Sequence, residues 1–124
     1  MSETHCLIVD DSRMARMMVK KFIGDIHPQW PIEEAASGEE ALEKAAEQKF
    51  DLITLDYNMP GMDGIEVAEI IRPRLPDARI VLLTANVQDS IRTQADELGL
   101  DFIAKPINEE KIIDYVSQTN PEPC

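Results

Sequence analysis

The fold of this chain is decided by the stretch Leu52-Ile53-Thr54-Leu55-Asp56, which is followed directly by Tyr57-Asn58-Met59-Pro60-Gly61-Met62-Asp63-Gly64. Four residues that are apolar or favour strands run straight into a carboxylate, and Pro60 and Gly61 then break the pattern. This order predicts a buried strand that ends at Asp56, then a tight loop and a new helix. In an open α/β sheet, ligands collect at the carboxyl ends of the strands. Asp56 is therefore the first candidate for a functional residue.

Length and charge limit the possible classes of protein. A chain of 124 residues predicts one domain over 1–124, with a core at about 5–117 and a frayed tail over 118–124. Twelve basic and twenty-four acidic residues give a net charge of −12, which disfavours binding to nucleic acid and to anionic membranes. A basic protein patch or a bound cation is the more natural partner, although solvated surface explains most of these carboxylates.

Nothing in the sequence indicates export or membrane insertion. The N-terminus lacks a basic region, and the apolar run after it covers only residues 6–9, so we expect a cytoplasmic protein. Cys6 and Cys124 are poorly placed to pair, and we expect both thiols to be reduced.

A strand-then-helix pattern repeats five times, which predicts an α/β fold with a parallel sheet covered on both faces. Ser37, Asp63 and Asn108 are placed to cap the second, third and fifth helices, and Glu40 to complete a capping box with Ser37. Gly99 is expected to end the fourth helix, and Pro73 to end or distort the third.

Apolar spacing predicts the inner faces of the helices. In the first helix we expect the methionines to serve as adaptable core packing. The predicted inner residues are Ala15, Met18, Val19, Phe22 and Ile26 in the first helix, Ala41, Leu42, Ala45 and Ala46 in the second, Val67, Ala68, Ile71 and Leu75 in the third, and Ile91, Ala95 and Leu98 in the fourth.

Polar residues close the strong strands of the predicted sheet: Asp10 and Asp11 after the first, Asp56 at the third, Thr84 at the fourth and Lys105 at the fifth. Since the carboxyl ends of parallel strands share one edge, we expect these groups to converge. Each residue taken singly has a structural explanation, such as a turn former, a strand residue or a surface charge. Those explanations do not account for unlike polar residues ending four strands of one sheet.

The chemistry of such a cluster is restricted. Three neighbouring carboxylates repel one another, so one is protonated or a cation lies among them. Oxygen ligands favour a hard divalent ion, Mg²⁺ above all, with Mn²⁺ as a substitute. Lys105 and the Thr84 hydroxyl are suited to hold the oxygens of a transferring phosphoryl group. Asp56 can then be the nucleophile and form an aspartyl phosphate.

These residues resemble a known family. The segments Val9-Asp10-Asp11-Ser12, Leu55 to Gly64, Leu83-Thr84-Ala85 and Ala104-Lys105-Pro106 are similar to the receiver domain of two-component response regulators, the CheY-like family. The resemblance covers roughly Leu7 to Val116. It implies a doubly wound, flavodoxin-like sheet of strand order 2-1-3-4-5 with five flanking helices, an order for which CheY itself is a standard example.

The resemblance also implies a role for each matching residue. Asp56 matches the phosphoacceptor, and Lys105 the ammonium that pairs with it and then with its phosphoryl group. The metal ligands would be Asp10, Asp11 and Asp56 together with the backbone carbonyl of Asn58, with Asp10 often acting through water. Thr84 and Phe102 match the switch pair, and Lys105-Pro106 matches a bond that is typically cis.

The function implied is that of a single-domain response regulator, a phosphoacceptor and switch with no attached output domain. A histidine kinase or a phosphotransfer protein would supply the phosphoryl group, and the face formed by helix 4, strand 5 and helix 5 would bind an unidentified protein target, of the chemotaxis type or another. Such a protein catalyses only its own phosphorylation and dephosphorylation. Phe102 replaces the tyrosine of many members, so it cannot offer a hydroxyl to a partner, and plain core packing is its alternative role.

Three other functions fit parts of the pattern. A pseudo-receiver would keep the fold and bind partners without phosphorylation. A haloacid-dehalogenase-like Mg²⁺ phosphatase needs two acids that are two residues apart after the first strand, whereas Asp10 and Asp11 are adjacent. A flavodoxin-like FMN carrier needs a loop rich in Ser, Thr and Gly where this chain has two carboxylates.

Overall fold

The computed structural model describes residues 4–85 and 88–118, with side chains as far as Ser117. The chain alternates strands and helices throughout. The strands are β1 (Cys6–Val9), β2 (Ile32–Ala35), β3 (Leu52–Asp56), β4 (Arg79–Thr84) and β5 (Asp101–Ala104). The helices are α1 (Arg13–Ile26), α2 (Gly38–Glu47), α3 (Gly64–Arg74), α4 (Asp89–Glu97) and α5 (Glu109–Gln118).

The five strands form one parallel sheet in the order β2-β1-β3-β4-β5. The predicted doubly wound fold and its strand order are therefore confirmed. The central strands β1 and β3 are buried along their whole length, whereas the edge strands β2 and β5 are mostly half-buried. This difference explains why β1 and β3 are nearly continuous apolar runs and β2 carries Glu33 and Glu34.

Two apolar layers cover the faces of the sheet. One layer packs α2, α3 and α4 against Leu7, Val9, Ile53, Leu55, Ile80 and Leu82. The other packs α1 and α5 against Cys6, Ile8, Leu52, Val81 and Leu83. Alternation along each strand divides its side chains between the two layers, as a strand buried on both sides requires. The sheet is thus held rigidly, and the residues at its carboxyl edge are held with it.

The predicted helix caps are present. Ser37 Oγ accepts a hydrogen bond from the Glu40 amide at 3.1 Å, but Glu40 reaches back to the amide of Ala36 and not to that of Ser37. Asp63 forms a full capping box with Glu66, in which the carboxylate of each residue accepts a hydrogen bond from the backbone amide of the other.

The predicted helix ends are also confirmed. Asn108 Oδ1 accepts the Lys111 amide at 2.9 Å at the start of α5. Gly99 follows α4 with φ +70, the left-handed conformation that glycine adopts most easily. The helix α3 ends one residue after Pro73.

The predicted inner face of α1 is partly wrong. Val19 and Ile23 are the buried residues of this helix, whereas Met14, Met17 and Met18 are 73, 55 and 42% exposed and do not form core packing. An α-helix turns by about 100° per residue, so Met18 lies roughly a quarter turn from Val19 and is not enclosed by the core. In α2, Ala46 is likewise exposed, while the α3 residues Val67, Ala68, Ile71 and Leu75 are all buried as predicted.

The other expectations from composition are only partly tested. Cys6 is free and buried, and burial, with a smaller contribution from Asp51, raises its pKa to about 12. Cys124 and the tail after residue 118 lie outside the described residues, and the absence of a further domain stays a prediction. No helix in the described part of the chain combines the length and apolar character needed to cross a bilayer.

The buried hydroxyl of Thr54 is expected to lower the stability of the fold. Thr54 is 3% exposed, and its Oγ1 has no hydrogen-bond partner among the described residues. Since Thr54→Val replaces this hydroxyl by a methyl group of similar shape, we expect it to raise the free energy of unfolding by ~1 kcal/mol, measured by urea denaturation. Thr54→Ser, which keeps the hydroxyl and deletes the methyl group, should lower it. A loss of stability in the valine variant would contradict this assignment.

Candidate functional site

Three carboxylates meet at the carboxyl edge of the sheet. Asp10 follows β1, Asp11 comes next, and Asp56 ends the neighbouring strand β3. One oxygen from each lies within 4.8 Å of the others. Asp10 and Asp56 are 5 and 2% exposed, whereas Asp11 is exposed. The convergence expected from the strand ends is therefore present.

The predicted lysine completes this cluster. Lys105 Nζ lies 2.8 Å from Asp56 Oδ1, and its side chain is half-buried. The Lys105 amide donates to the Thr84 carbonyl at 2.9 Å, which continues the β4–β5 pairing past the end of β5. The Lys105-Pro106 bond is cis, as the resemblance implied. Lys111 Nζ donates to the carbonyls of Ala104 and Pro106 and so holds the loop on either side of Lys105.

The two predicted switch residues lie on one face of neighbouring strands. Thr84 is fully buried at the end of β4. Phe102 pairs in register with Leu82, and Thr84 is the next residue on that face of β4. The Phe102 ring is partly buried against the core layer under α4, and the Arg92 guanidinium lies 4.5 Å from its centre. Core packing by Phe102 is thus observed, and its switching role stays a prediction.

The loop after β3 brings Asn58 to the same edge. Asn58 is exposed, two residues after Asp56, and its role as a carbonyl ligand stays a prediction. The loop itself is fixed at both ends, because the Tyr57 amide donates to the Leu83 carbonyl and the Gly64 amide donates to the Tyr57 carbonyl, each at 2.9 Å. The direction in which the chain leaves Asp56 is therefore set by the sheet.

Burial makes the charged form of Asp10 unfavourable. Desolvation raises the pKa of Asp10 to about 6, and the nearby charges of Asp56 and Asp11 act in the same direction. The hydrogen bond from the Ser12 amide, at 2.9 Å, and the Lys105 charge lower it only in part. The protein groups around Asp10 therefore offset only part of the cost of its negative charge, and a bound cation would offset more of it.

The donor set fits Mg²⁺. Three carboxylates offer hard oxygen ligands within one small volume, and the exposed side chain of Asp11 leaves a path to solvent for retained waters. An ammonium within hydrogen-bond distance of Asp56 provides a second positive group for an incoming anion. These carboxylates could therefore hold a divalent cation, with the Lys105 ammonium beside it.

A cavity of about 190 Å³ opens beside this cluster. Asp10 and Lys105 line it on the polar side, and the rest of its lining is apolar: Ala15, Met18, Val19, Leu83 and Ile107. The predicted core residue Met18 is therefore a wall of this cavity.

Comparison with known proteins gives the family. The model of the response regulator receiver domain matches residues 6–117. The chain belongs to this family. Receiver domains take phosphate from histidine kinases and act on downstream targets, and they are signalling proteins that are generally not enzymes.

Individual relatives agree with this assignment. The chain is 37% identical over 113 residues to the transcriptional regulatory protein ResD of Bacillus subtilis, and 36% identical over 113 residues to the chemotaxis protein CheY of Listeria monocytogenes. These matches cover 90% of the chain in both cases, but 46% of ResD and 94% of CheY. The receiver domain thus spans less than half of one relative and nearly all of the other.

A solved structure is similar over almost the whole receiver domain. Chemotaxis protein CheY4 of Vibrio cholerae superimposes with a TM-score of 0.86 at 30% identity, covering 96% of this chain and all of that one. The chain therefore resembles this receiver structure in the path of its backbone as well as in sequence.

Sequence reasoning missed two features of the site region. Arg16 and Glu34 form an ion pair beside the segment Asp10-Asp11-Ser12 between β1 and α1, here called the acidic loop, with 3.0 Å between Arg16 Nε and Glu34 Oε1. They lie on different elements, eighteen residues apart, so no local spacing rule identifies them. The exposed methionines of α1 were also missed, because a run of apolar residues in a helix does not reveal which of them faces the sheet.

The raised pKa of Asp10 predicts a pH-dependent gain in stability when its charge is removed. An aspartate whose pKa is raised on folding destabilises the protein above its folded pKa, and this cost disappears as the pH falls toward its unfolded value near 4. In metal-free protein at pH 7.5 we expect Asp10→Asn to raise the free energy of unfolding by roughly 1–2 kcal/mol, allowing for screening. The gain should fade below about pH 4. Urea unfolding in EDTA checks this, and a gain independent of pH would contradict it.

Close packing at Gly64 predicts a coupled loss of stability and metal binding. A Cβ at this position would lie 2.7 Å from the Asp56 carbonyl oxygen and 2.8 Å from Leu82 Cδ1. We expect Gly64→Ala to destabilise the domain by about 1–3 kcal/mol and to weaken Mg²⁺ binding, because the backbone of Asp56 must shift. Urea unfolding and calorimetric Mg²⁺ titration measure the two effects.

The matched control for Gly64 lies in α1. An added Cβ at Gly24 meets nothing within 4 Å, so Gly24→Ala should raise stability by up to about 1 kcal/mol and leave metal binding unchanged. Equal behaviour of the two alanine variants would show that the close approach at Gly64 does not constrain Asp56.

Proposed function

We propose that this receiver domain is a Mg²⁺-dependent phosphoacceptor of a two-component phosphorelay, with Asp56 as the residue phosphorylated. The observation that carries the proposal is the juxtaposition of three carboxylates with the ammonium of Lys105, which contacts the most buried of them. The phosphodonor would be the phosphohistidine of a histidine kinase or phosphotransfer protein, or a small phosphorylated compound. Family membership and the sequence motifs around these four groups and Thr84 support this assignment.

The proposed transfer needs few groups from the protein. A carboxylate oxygen of Asp56 forms a bond to phosphorus, the bond from phosphorus to the donor nitrogen breaks, and the imidazole leaves with its electron pair. Lys105, which pairs with Asp56 before the reaction, is within reach of the phosphoryl oxygens after it. A bound Mg²⁺ would neutralise the charge that gathers on those oxygens.

The ligands of that ion would come from two strand ends and one loop. Asp10, Asp11 and Asp56 offer carboxylate oxygens, and Asn58 would offer its backbone carbonyl. Mn²⁺ should replace Mg²⁺, since both accept hard oxygen ligands.

Phosphorylation would be read out through Thr84 and Phe102. A phosphoryl group on Asp56 adds charge and hydrogen-bond acceptors near the end of β4, where Thr84 lies. Movement of the Thr84 hydroxyl toward these acceptors would free space on the same sheet face for Phe102. The ring lies under the Arg92 guanidinium of α4, so its displacement would also alter that helix. A protein target that recognises the altered α4–β5–α5 face would then receive the signal.

A direct test is phosphorylation by a small donor. Acetyl phosphate with Mg²⁺ should add the mass of one phosphoryl group, detected by intact-protein mass spectrometry, and Mn²⁺ should support the same reaction. EDTA should abolish the addition, and Asp56→Asn should prevent it because an amide cannot form the acyl phosphate. Asp63→Asn is the matched control, since asparagine also caps helices and Asp63 lies in the same loop.

The same experiment separates the alternatives. An unchanged mass in the parent protein would replace this proposal by that of a binding module that works without phosphorylation. Steady turnover of phosphate monoesters, measured as released phosphate, would favour a phosphatase instead. The beryllofluoride-treated and untreated proteins can then be compared in pull-downs to find the target of the activated form.

A further inference from the structure

Arg16 is the one described α1 residue whose side chain donates a hydrogen bond to the acidic loop. Its Nη1 donates to the backbone carbonyl of Asp10 at 2.7 Å, and its Nε donates to Glu34 Oε1 at 3.0 Å. The guanidinium is well buried, with 13% of the side chain exposed. It therefore links the end of β1 to the edge strand β2 at the position where the acidic pair begins.

The contact to Asp10 restrains more than one atom. The carbonyl of Asp10 and the amide of Asp11 belong to one planar peptide unit, so fixing the carbonyl direction also fixes the nitrogen and Cα of Asp11. The flanking peptides are held as well, since the Asp10 amide donates to the Ala35 carbonyl at 3.1 Å and the Ser12 amide donates to Asp10 Oδ1. Arg16 thus supplies the restraint that bears on the Asp10–Asp11 peptide itself.

Glu34 holds Arg16 in this orientation and balances its charge. Burial acts to raise the pKa of Glu34, but hydrogen bonds from Arg16 and then Lys20 outweigh it and the pKa is lowered. Glu34 is therefore a carboxylate at neutral pH. Because its charge opposes that of Arg16, the guanidinium should repel a cation at the acidic cluster only weakly. The planar guanidinium can satisfy a carbonyl and a carboxylate together, which a single ammonium does less well.

We propose that Arg16, anchored by Glu34, is a positioning residue that sets the direction of Asp11 and thereby the affinity of the acidic cluster for Mg²⁺. The proposal rests on the function proposed above. It predicts that the guanidinium acts through geometry and not through its charge. Partners that orient metal ligands commonly change metal affinity by about 10- to 100-fold when they are removed.

Two substitutions separate geometry from charge. Arg16→Met removes the donors and the charge while it keeps an unbranched side chain, and Arg16→Lys keeps the charge but not the fork of donors. We expect both variants to bind Mg²⁺ about tenfold more weakly than the parent protein, measured by isothermal titration calorimetry with MgCl₂. The amide NMR resonances of Asp11 and Ser12 should also shift in the metal-free variants.

Lys20→Met is the matched control. Lys20 lies on α1 like Arg16, and its Nζ is 3.4 Å from Glu34 Oε2. It has no described contact with the Asp10 carbonyl. Its replacement removes one positive charge from the same pair and should leave the Mg²⁺ dissociation constant within twofold of the parent value. Circular dichroism and urea unfolding establish whether each variant is folded. If Arg16→Met is unfolded, Arg16→Lys alone tests the role of the guanidinium.

The possible outcomes have distinct meanings. Weaker binding in both Arg16 variants, with Lys20→Met unchanged, would support the positioning role. Unchanged or tighter binding in Arg16→Met would overturn it, as would equal weakening in Lys20→Met, because the loss would then not depend on the contact with the Asp10 carbonyl. A parent protein that binds no Mg²⁺ would instead refute the proposed function, and it is recognised before any variant is made.

Discussion

The site depends on one electrostatic constraint: two buried carboxylates and an exposed one share a small volume with a single ammonium. Asp56 is compensated by Lys105 at 2.8 Å, but Asp10 is not, and burial raises its pKa to about 6. The folded chain therefore holds an excess of negative charge at the carboxyl edge of its sheet. In the proposed function, that excess would make the domain responsive, because binding a cation or adding a phosphoryl group would change the balance of charges at a buried position.

The surrounding fold keeps these charges in place without contributing to the chemistry. The two apolar layers fix β1 and β3 from both sides, so the carboxylates at their ends cannot separate to relieve their repulsion. Gly64 lets the start of α3 approach the Asp56 carbonyl, and Lys111 holds the loop around Lys105. The Arg16–Glu34 pair adds the same kind of restraint to the acidic loop. The backbone of CheY4 of Vibrio cholerae follows a similar path.

Much of the site could be predicted because its residues follow local sequence patterns. A run of apolar residues that ends in a polar one marks the end of a buried strand, and parallel strands bring such ends together. Asp10, Asp56, Thr84 and Lys105 were found in this way. Arg16 and Glu34 were not, since a contact between a helix and a strand eighteen residues away leaves no periodic signal. The methionines of α1 were assigned to the core for a related reason: Met18 and Val19 are adjacent in an apolar run, and only the packed helix shows which one faces the sheet.

The sequence by itself determined the alternation of strands and helices, the helix caps, and the set of polar groups at one edge of the sheet. These features follow from hydrogen bonding and burial over short stretches of chain, which act before distant segments meet. Only the tertiary structure decided the 2.8 Å contact of Lys105 with Asp56, the excess charge at Asp10, the exposure of the α1 methionines and the contact of Arg16 with the Asp10 carbonyl. Each of these depends on which atoms of separate elements come within a few ångströms, and the distances arise only when the helices pack on the sheet.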